Sequence, residues 1–179
     1  MTSLVDKIVA IHGSLDDALL PHAFGGALAL AWCTQRARGT IDVDVNVFVH
    51  VDRVDDVLAS FPAAVTSSPD DVDQLRADGQ ARLWWDNTPI DVFLNTTEFH
   101  ETVATRARRE QFAGYDVPFL ACSDLAVFKA FFDRTKDWAD LEEMNTAGTL
   151  DVGSVIGTLA IHLGGDDPRI ERLRALADP

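Results

Sequence analysis

The stretch "RGTIDVDVNVFV", Arg38 to Val49, sets two aspartates two residues apart in a β-branched run. Asp is a poor strand former, so the repetition asks for a reason beyond local propensity. Side chains of an extended chain alternate between faces. Ile41, Val43, Val45, Val47 and Val49 then share an apolar face, and Asp42, Asp44, Asn46 and Phe48 share the other. Bare alternation also describes a half-buried strand with a polar outer side. Two carboxylates ~7 Å apart on one face repel each other and suit hard cations. Mg²⁺ takes oxygen ligands, often one or two carboxylates plus substrate phosphates. A third acid on a neighbouring strand would complete such a site. "IDVFL" offers Asp91, with Ile90, Val92 and Leu94 on one face and Asp91 and Phe93 on the other. Three acids converging on one point are unfavourable without a cation. With two metal ions they clamp the attacking and leaving oxygens of a phosphoryl-type displacement.

Upstream, "FGGALALAW" places Gly25 and Gly26 before a helical run. Such a turn lets a phosphate approach backbone N–H groups and the positive end of a helix; a plain turn is the simpler alternative. Downstream, "SDLAVFKAFFDRTKDWADLEEM" holds Lys129 and Lys136, two of the three lysines in the chain. On a helix, Lys129 stands apart from the face of Leu125, Phe128 and Phe132 and offers a compact charge to a phosphate. A salt-bridged pair of helices fits the same residues.

Taken together, Gly25, Gly26, Arg38, Thr40, Asp42, Asp44 and Asp91 resemble the nucleotidyltransferase superfamily typified by DNA polymerase beta. The resemblance implies a mixed sheet flanked by helices. It implies NTP phosphates at Gly25, Gly26, Arg38, Thr40 and Lys129, and Mg²⁺ (or Mn²⁺) at Asp42, Asp44 and Asp91. Gly26 stands where that turn often carries Ser, which removes a hydroxyl. Asp124, Lys129, Arg134, Lys136, Asp137, Asp140 and Leu141 are similar to a signature of AbiEii and MenT-type nucleotidyltransferase toxins. That branch implies catalytic roles for Lys129 and for Asp140, or Asp137 in its place, beside the three acids. It also implies tRNA 3′ ends as acceptor, and a cognate antitoxin, a kinase acting on Thr40. A small-molecule nucleotidyltransferase of the aminoglycoside or lincosamide type shares the Gly-Gly and Asp-x-Asp pattern. A non-catalytic antitoxin or binding partner with the same fold is the third reading.

The rest of the chain must position these residues. Its 179 residues suit one domain, or one with a helical appendage, and 47% apolar content supports a core. The net charge of −14 disfavours broad phosphate-backbone binding. It suits metal ions, cationic small molecules or a basic partner. A nucleic-acid acceptor must then meet a local basic patch, and Arg106, Arg108 and Arg109 are the candidates. No apolar run reaches the ~20 residues of a membrane span. Cys33 and Cys122 show neither metal spacing nor a disulfide framework, so a reduced cytoplasm is expected. His12, His22, His50, His100 and His162 form no metal-ligand spacing, and the tryptophans read as packing.

Helical spacing marks residues 4–19, 27–35, 52–61 and 97–112. "SSPDDVDQ" reads as a loop. "ARLWW" and "IDVFL" read as a hairpin, and "VPFL" as a short strand. From Asp124 onward helices follow, with Ser123, Asp151 and Asp166 or Asp167 as caps. The expected class is α+β: a nucleotidyltransferase-like mixed sheet over residues 1–120 and a C-terminal helical part over 121–179.

Overall fold

The computed structural model describes residues 2–177. The chain divides into two units: residues up to Leu28 with Gly39–Leu120, and Ala29–Arg38 with the residues from Ala121 onward. Among the described residues of the first unit, seven strands form one sheet in the order β3-β4-β5-β2-β1-β7-β6. They are β1 (His22–Phe24), β2 (Val43–His50), β3 (Val65–Thr66), β4 (Gln80–Trp85), β5 (Thr88–Asn95), β6 (Arg108–Phe112) and β7 (Tyr115–Phe119). The helices of this unit are α1 (Leu4–Asp17), α3 (Val54–Ser60), α4 (Pro69–Asp78) and α5 (Glu98–Ala104). α2 (Gly26–Thr34) starts in the first unit and ends in the second. The second unit holds α6 (Cys122–Phe132), α7 (Thr135–Thr146), α8 (Val152–Leu163) and α9 (Pro168–Ala177).

The centre of the sheet follows the sequence pattern. β2 runs parallel to β5 and antiparallel to β1. Val43, Val45, Val47 and Val49 are buried, as are Ile90, Val92 and Leu94. Ile41, expected on this core face, is instead 78% exposed. The cause is local. The Thr40 hydroxyl bonds to the Asp42 carboxylate and carbonyl, and the Asp42 N–H donates back to Thr40 Oγ1 at 3.3 Å. This side-chain turn competes with the ladder, so the strand starts only at Val43.

Lys7, on α1, is buried and fixes the β4–β5 hairpin. Its Nζ donates to the Trp85 carbonyl at 2.7 Å and Thr88 Oγ1 at 3.0 Å, with Asp86 at 3.3 Å. The third lysine is therefore a structural clamp.

Three further expectations need correction. "SSPDDVDQ" begins α4, not a loop. Ser68 and Asp71 form a reciprocal capping box, Pro69 fills the first turn and Gly79 closes the helix at φ 69°. Residues 97–112 are not one helix, since α5 stops at Ala104 and β6 pairs with β7. Ala113 and Gly114, at φ 52° and 86°, make the two-residue turn that favours a hairpin there. Arg108 and Arg109 thus lie on an edge strand, paired with Glu110 and Asp116. α6 starts at Cys122 after Ala121, which supplies no side-chain cap, so Ser123 is not its cap. Asp151 does cap α8, accepting from the Ser154 N–H at 3.0 Å.

The largest correction concerns the cysteines. Cys33 and Cys122 form a disulfide in the second unit, with Cα atoms 5.6 Å apart. It ties the end of α2 to the start of α6. Their 89-residue separation gave no spacing pattern, because proximity comes from the fold alone. Among the described residues, no helix is long and apolar enough to cross a membrane.

A buried histidine pair joins α1 to β1. His22 Nδ1 lies 2.8 Å from the Leu20 carbonyl, which can only accept, so Nδ1 carries the proton. His22 Nε2 then accepts from His12 Nδ1 at 2.9 Å. Burial pushes His22 down to about 4; the Leu20 carbonyl opposes the shift, and His12 adds to it. The unfolded chain therefore binds the His22 proton more readily, and this contribution to stability is full above pH 6.5 and lost as pH falls toward 4. Denaturant titrations at pH 7 and pH 4 should show a fall on the order of 3 kcal/mol from this group. His22→Gln should flatten the pH dependence by that amount, and an equally steep variant would contradict the assignment.

Candidate active site

The acids of the first unit sit where two parallel strands run side by side. Asp44 of β2 and Asp91 of β5 are register partners. Asp42 lies one residue before β2. All three are half-buried. Asp91 has a second neighbour that the sequence reading did not single out: Arg82 of β4, its register partner on the other side. Arg82 donates from Nε to Oδ1 at 2.7 Å and from Nη2 to Oδ2 at 2.8 Å, a bidentate fork. The Asp91 hydrogen bond, with the Asp42 and Asp44 charges, raises the guanidinium above its usual range. The signal was available. Once Asp86 and Asn87 form a two-residue turn, counting back along the hairpin pairs Arg82 with Asp91.

Gly25 and Gly26 seat Asp44. The Gly25 N–H donates to the Asp44 carbonyl at 2.9 Å. A Cβ on Gly26 would fall 1.8 Å from Asp44 Oδ2, and its φ of 52° is also one that side chains rarely adopt. A Cβ on Gly25 would meet Leu120 Cδ1 at 3.1 Å and Asn46 Nδ2 at 3.2 Å. Gly26 is thus required by close approach to the acid-bearing strand, while Gly25 sits in a tight fit against two side chains, and the start of α2 lies against a carboxylate.

Arg38, Lys129 and Asp140 come together separately, inside the second unit. Lys129 Nζ lies 2.6 Å from Asp140 Oδ2 and 3.8 Å from Asp137 Oδ1, and all three side chains are at most 8% exposed. Arg38 pairs with the other Asp140 oxygen. Arg134 holds Asp137 through Nε at 2.6 Å and Nη2 at 3.2 Å. The signature stretch therefore forms an ion-pair network that ties α6, α7 and the 29–38 segment together.

Among the described residues, no three His, Cys, Asp or Glu side chains lie close enough together to hold a metal ion. Among the acids, Asp91 faces Arg82 and Asp42 faces Thr40. The donor chemistry still fits a hard divalent cation at Asp42 and Asp44, because the donors are carboxylates and Asp91 already takes a cation.

No protein-family model matches the chain, and no curated protein matches it in sequence. Solved structures match its fold. The solution structure of antibiotic-resistance factor ANT(2'')-Ia is 14% identical, covers 96% of this chain and 89% of its own, and has a TM-score of 0.54. ANT(2'')-Ia in complex with adenylyl-2''-tobramycin is 16% identical over 96% and 94%, with the same TM-score. An antigenic nucleotidyltransferase-like protein from Paracoccidioides brasiliensis is 14% identical over 96% and 85%, again with a TM-score of 0.54. The chain thus has a nucleotidyltransferase-like fold: a mixed sheet flanked by helices, with helices at its C-terminal end.

Breaking a buried ion pair strands a charge and costs about 3–5 kcal/mol. Lys129→Ala and Asp140→Ala should each lose stability on that scale in urea denaturation. The double variant should lose clearly less than the sum; additive losses would show that the pair is not coupled.

Proposed function

We propose that the chain is a metal-dependent nucleotidyltransferase that moves a nucleoside monophosphate from an NTP to an acceptor hydroxyl. One observation carries the reading: a Gly-Gly turn that opens a helix is packed directly on Asp44, and Asp44 stands in register with Asp91. Asp42 and Asp44 would hold Mg²⁺ or Mn²⁺. When bound, that ion supplies Lewis-acid charge at the phosphate oxygens. The Thr40 hydroxyl orients the Asp42 carboxylate. The amides that open α2 offer N–H donors to the NTP phosphates. Asp91 orients the acceptor hydroxyl and takes its proton as the oxygen attacks the α-phosphorus; pyrophosphate leaves. Arg38, Lys129 and Asp140 serve first to hold the second unit together, and a phosphate contact by Lys129 would require it to leave Asp140.

The acceptor we favour is a cationic small molecule. The charge of −14 supports it, as does the pairing of Arg108 and Arg109 with acids. The similarity of fold to a protein solved with adenylyl-2''-tobramycin supports it further. The second reading is a toxin that modifies tRNA 3′ ends and is restrained by a kinase antitoxin. The stretch from Asp124 to Leu141 favours it, and so does Thr40, whose phosphorylation would set about two negative charges beside Asp42.

Pyrophosphate release from NTP should need Mg²⁺ or Mn²⁺ and an aminoglycoside acceptor. Total tRNA in its place would favour the toxin. Asp42→Ala and Asp44→Ala should each reduce release by roughly 100-fold or more at unchanged melting temperature. Full release by either variant would contradict the mechanism.

A further inference from the structure

The acid cluster carries a cation of its own. Both oxygens of Asp91 are occupied by the Arg82 fork, at 2.7 and 2.8 Å. The pairing is set by backbone register, since Arg82 and Asp91 are cross-strand partners. The hairpin that sets this register is itself pinned by buried Lys7 at its turn. A guanidinium does not lose its proton in a protein, so the charge is permanent. Asp42 and Asp44 add their attraction to that of Asp91.

We propose that Arg82 is a positioning residue that supplies the second positive charge of the cluster, so that the site takes one divalent cation, at Asp42 and Asp44, and not two. The inference rests on the nucleotidyltransferase reading above and narrows it. Three carboxylates balance against one divalent ion and one guanidinium. A second divalent ion would have to displace a bidentate, register-fixed partner from Asp91 and then sit beside its charge. Asp91 is thereby aimed by a tethered cation and is left to act on the acceptor hydroxyl. The sequence pattern by itself suggested a two-ion clamp, and the Arg82 side chain is what changes the count.

The test is a Mn²⁺ titration of the full chain, followed by the electron paramagnetic resonance signal of free Mn²⁺. The wild-type protein should bind one Mn²⁺ per chain. Arg82→Gln should bind two, because Asp91 is released. Arg82→Lys, which keeps a cation beside Asp91, should return to one. Two sites in the wild type, or one in Arg82→Gln, would overturn the inference and leave the parent reading standing. No Mn²⁺ bound by the wild type would overturn the inference, and the parent reading is then decided by metal-dependent pyrophosphate release. If Arg82→Gln fails to fold, the wild-type count with Asp91→Asn still decides: one site in both is expected, and two sites falling to one contradicts it.

Discussion

The placement of Asp42, Asp44 and Asp91 along two neighbouring parallel strands is the constraint that the residues around them answer. Like charges on adjoining strands destabilise a sheet unless something answers them. Three answers are present, each from a different element. Arg82 holds Asp91 from the neighbouring strand. Thr40 holds Asp42 from the residue pair before the strand. The opening turn of α2 lies against Asp44, where the positive end of a helix favours a carboxylate. Gly26 is the geometric condition for the last of these, since no other residue could bring the helix so close. A sheet built for stability alone would carry none of these acids, and their presence with separate compensation is what makes the place a candidate site.

The second unit solves a different problem. Its polar groups are buried by design of the helix packing, so they must be paired. Lys129, Asp137 and Asp140 are inside, and Arg38 and Arg134 close the network from more exposed positions. Trp138 is buried as well, donating to Asp133 at 2.6 Å with Arg172 stacked on its ring at 4.2 Å. The Cys33–Cys122 bond adds a covalent tie between the segment that brings Arg38 and the helix that brings Lys129.

Much of this was legible in the residues. Alternating burial, the β4–β5 hairpin, the helix after Gly25-Gly26 and the helical C-terminal part all follow from period and turn chemistry. What was not legible depended on competition or on distance. Ile41 looked like a core residue until the Thr40–Asp42 turn removed it from the strand. The start of α4 was hidden because its capping residues are also turn residues. β6 was hidden because an arginine-rich run carries no strand signal and its pairing with β7 is set by the Ala113-Gly114 turn. The disulfide links residues far apart in the chain, which no spacing rule reports. Arg82 is the instructive case: it follows from hairpin register by counting, but only after the turn is fixed.

The central claim is that bond cleavage occurs at the α-phosphorus of an NTP, with the nucleotide kept by the acceptor. The direct measurement is label transfer from two forms of the same NTP, one labelled at the α-phosphate and one at the γ-phosphate, to a cationic aminoglycoside. The account predicts that the α label moves to the acceptor and the γ label leaves in pyrophosphate. Transfer of the γ label, or free phosphate as its only product, would contradict it.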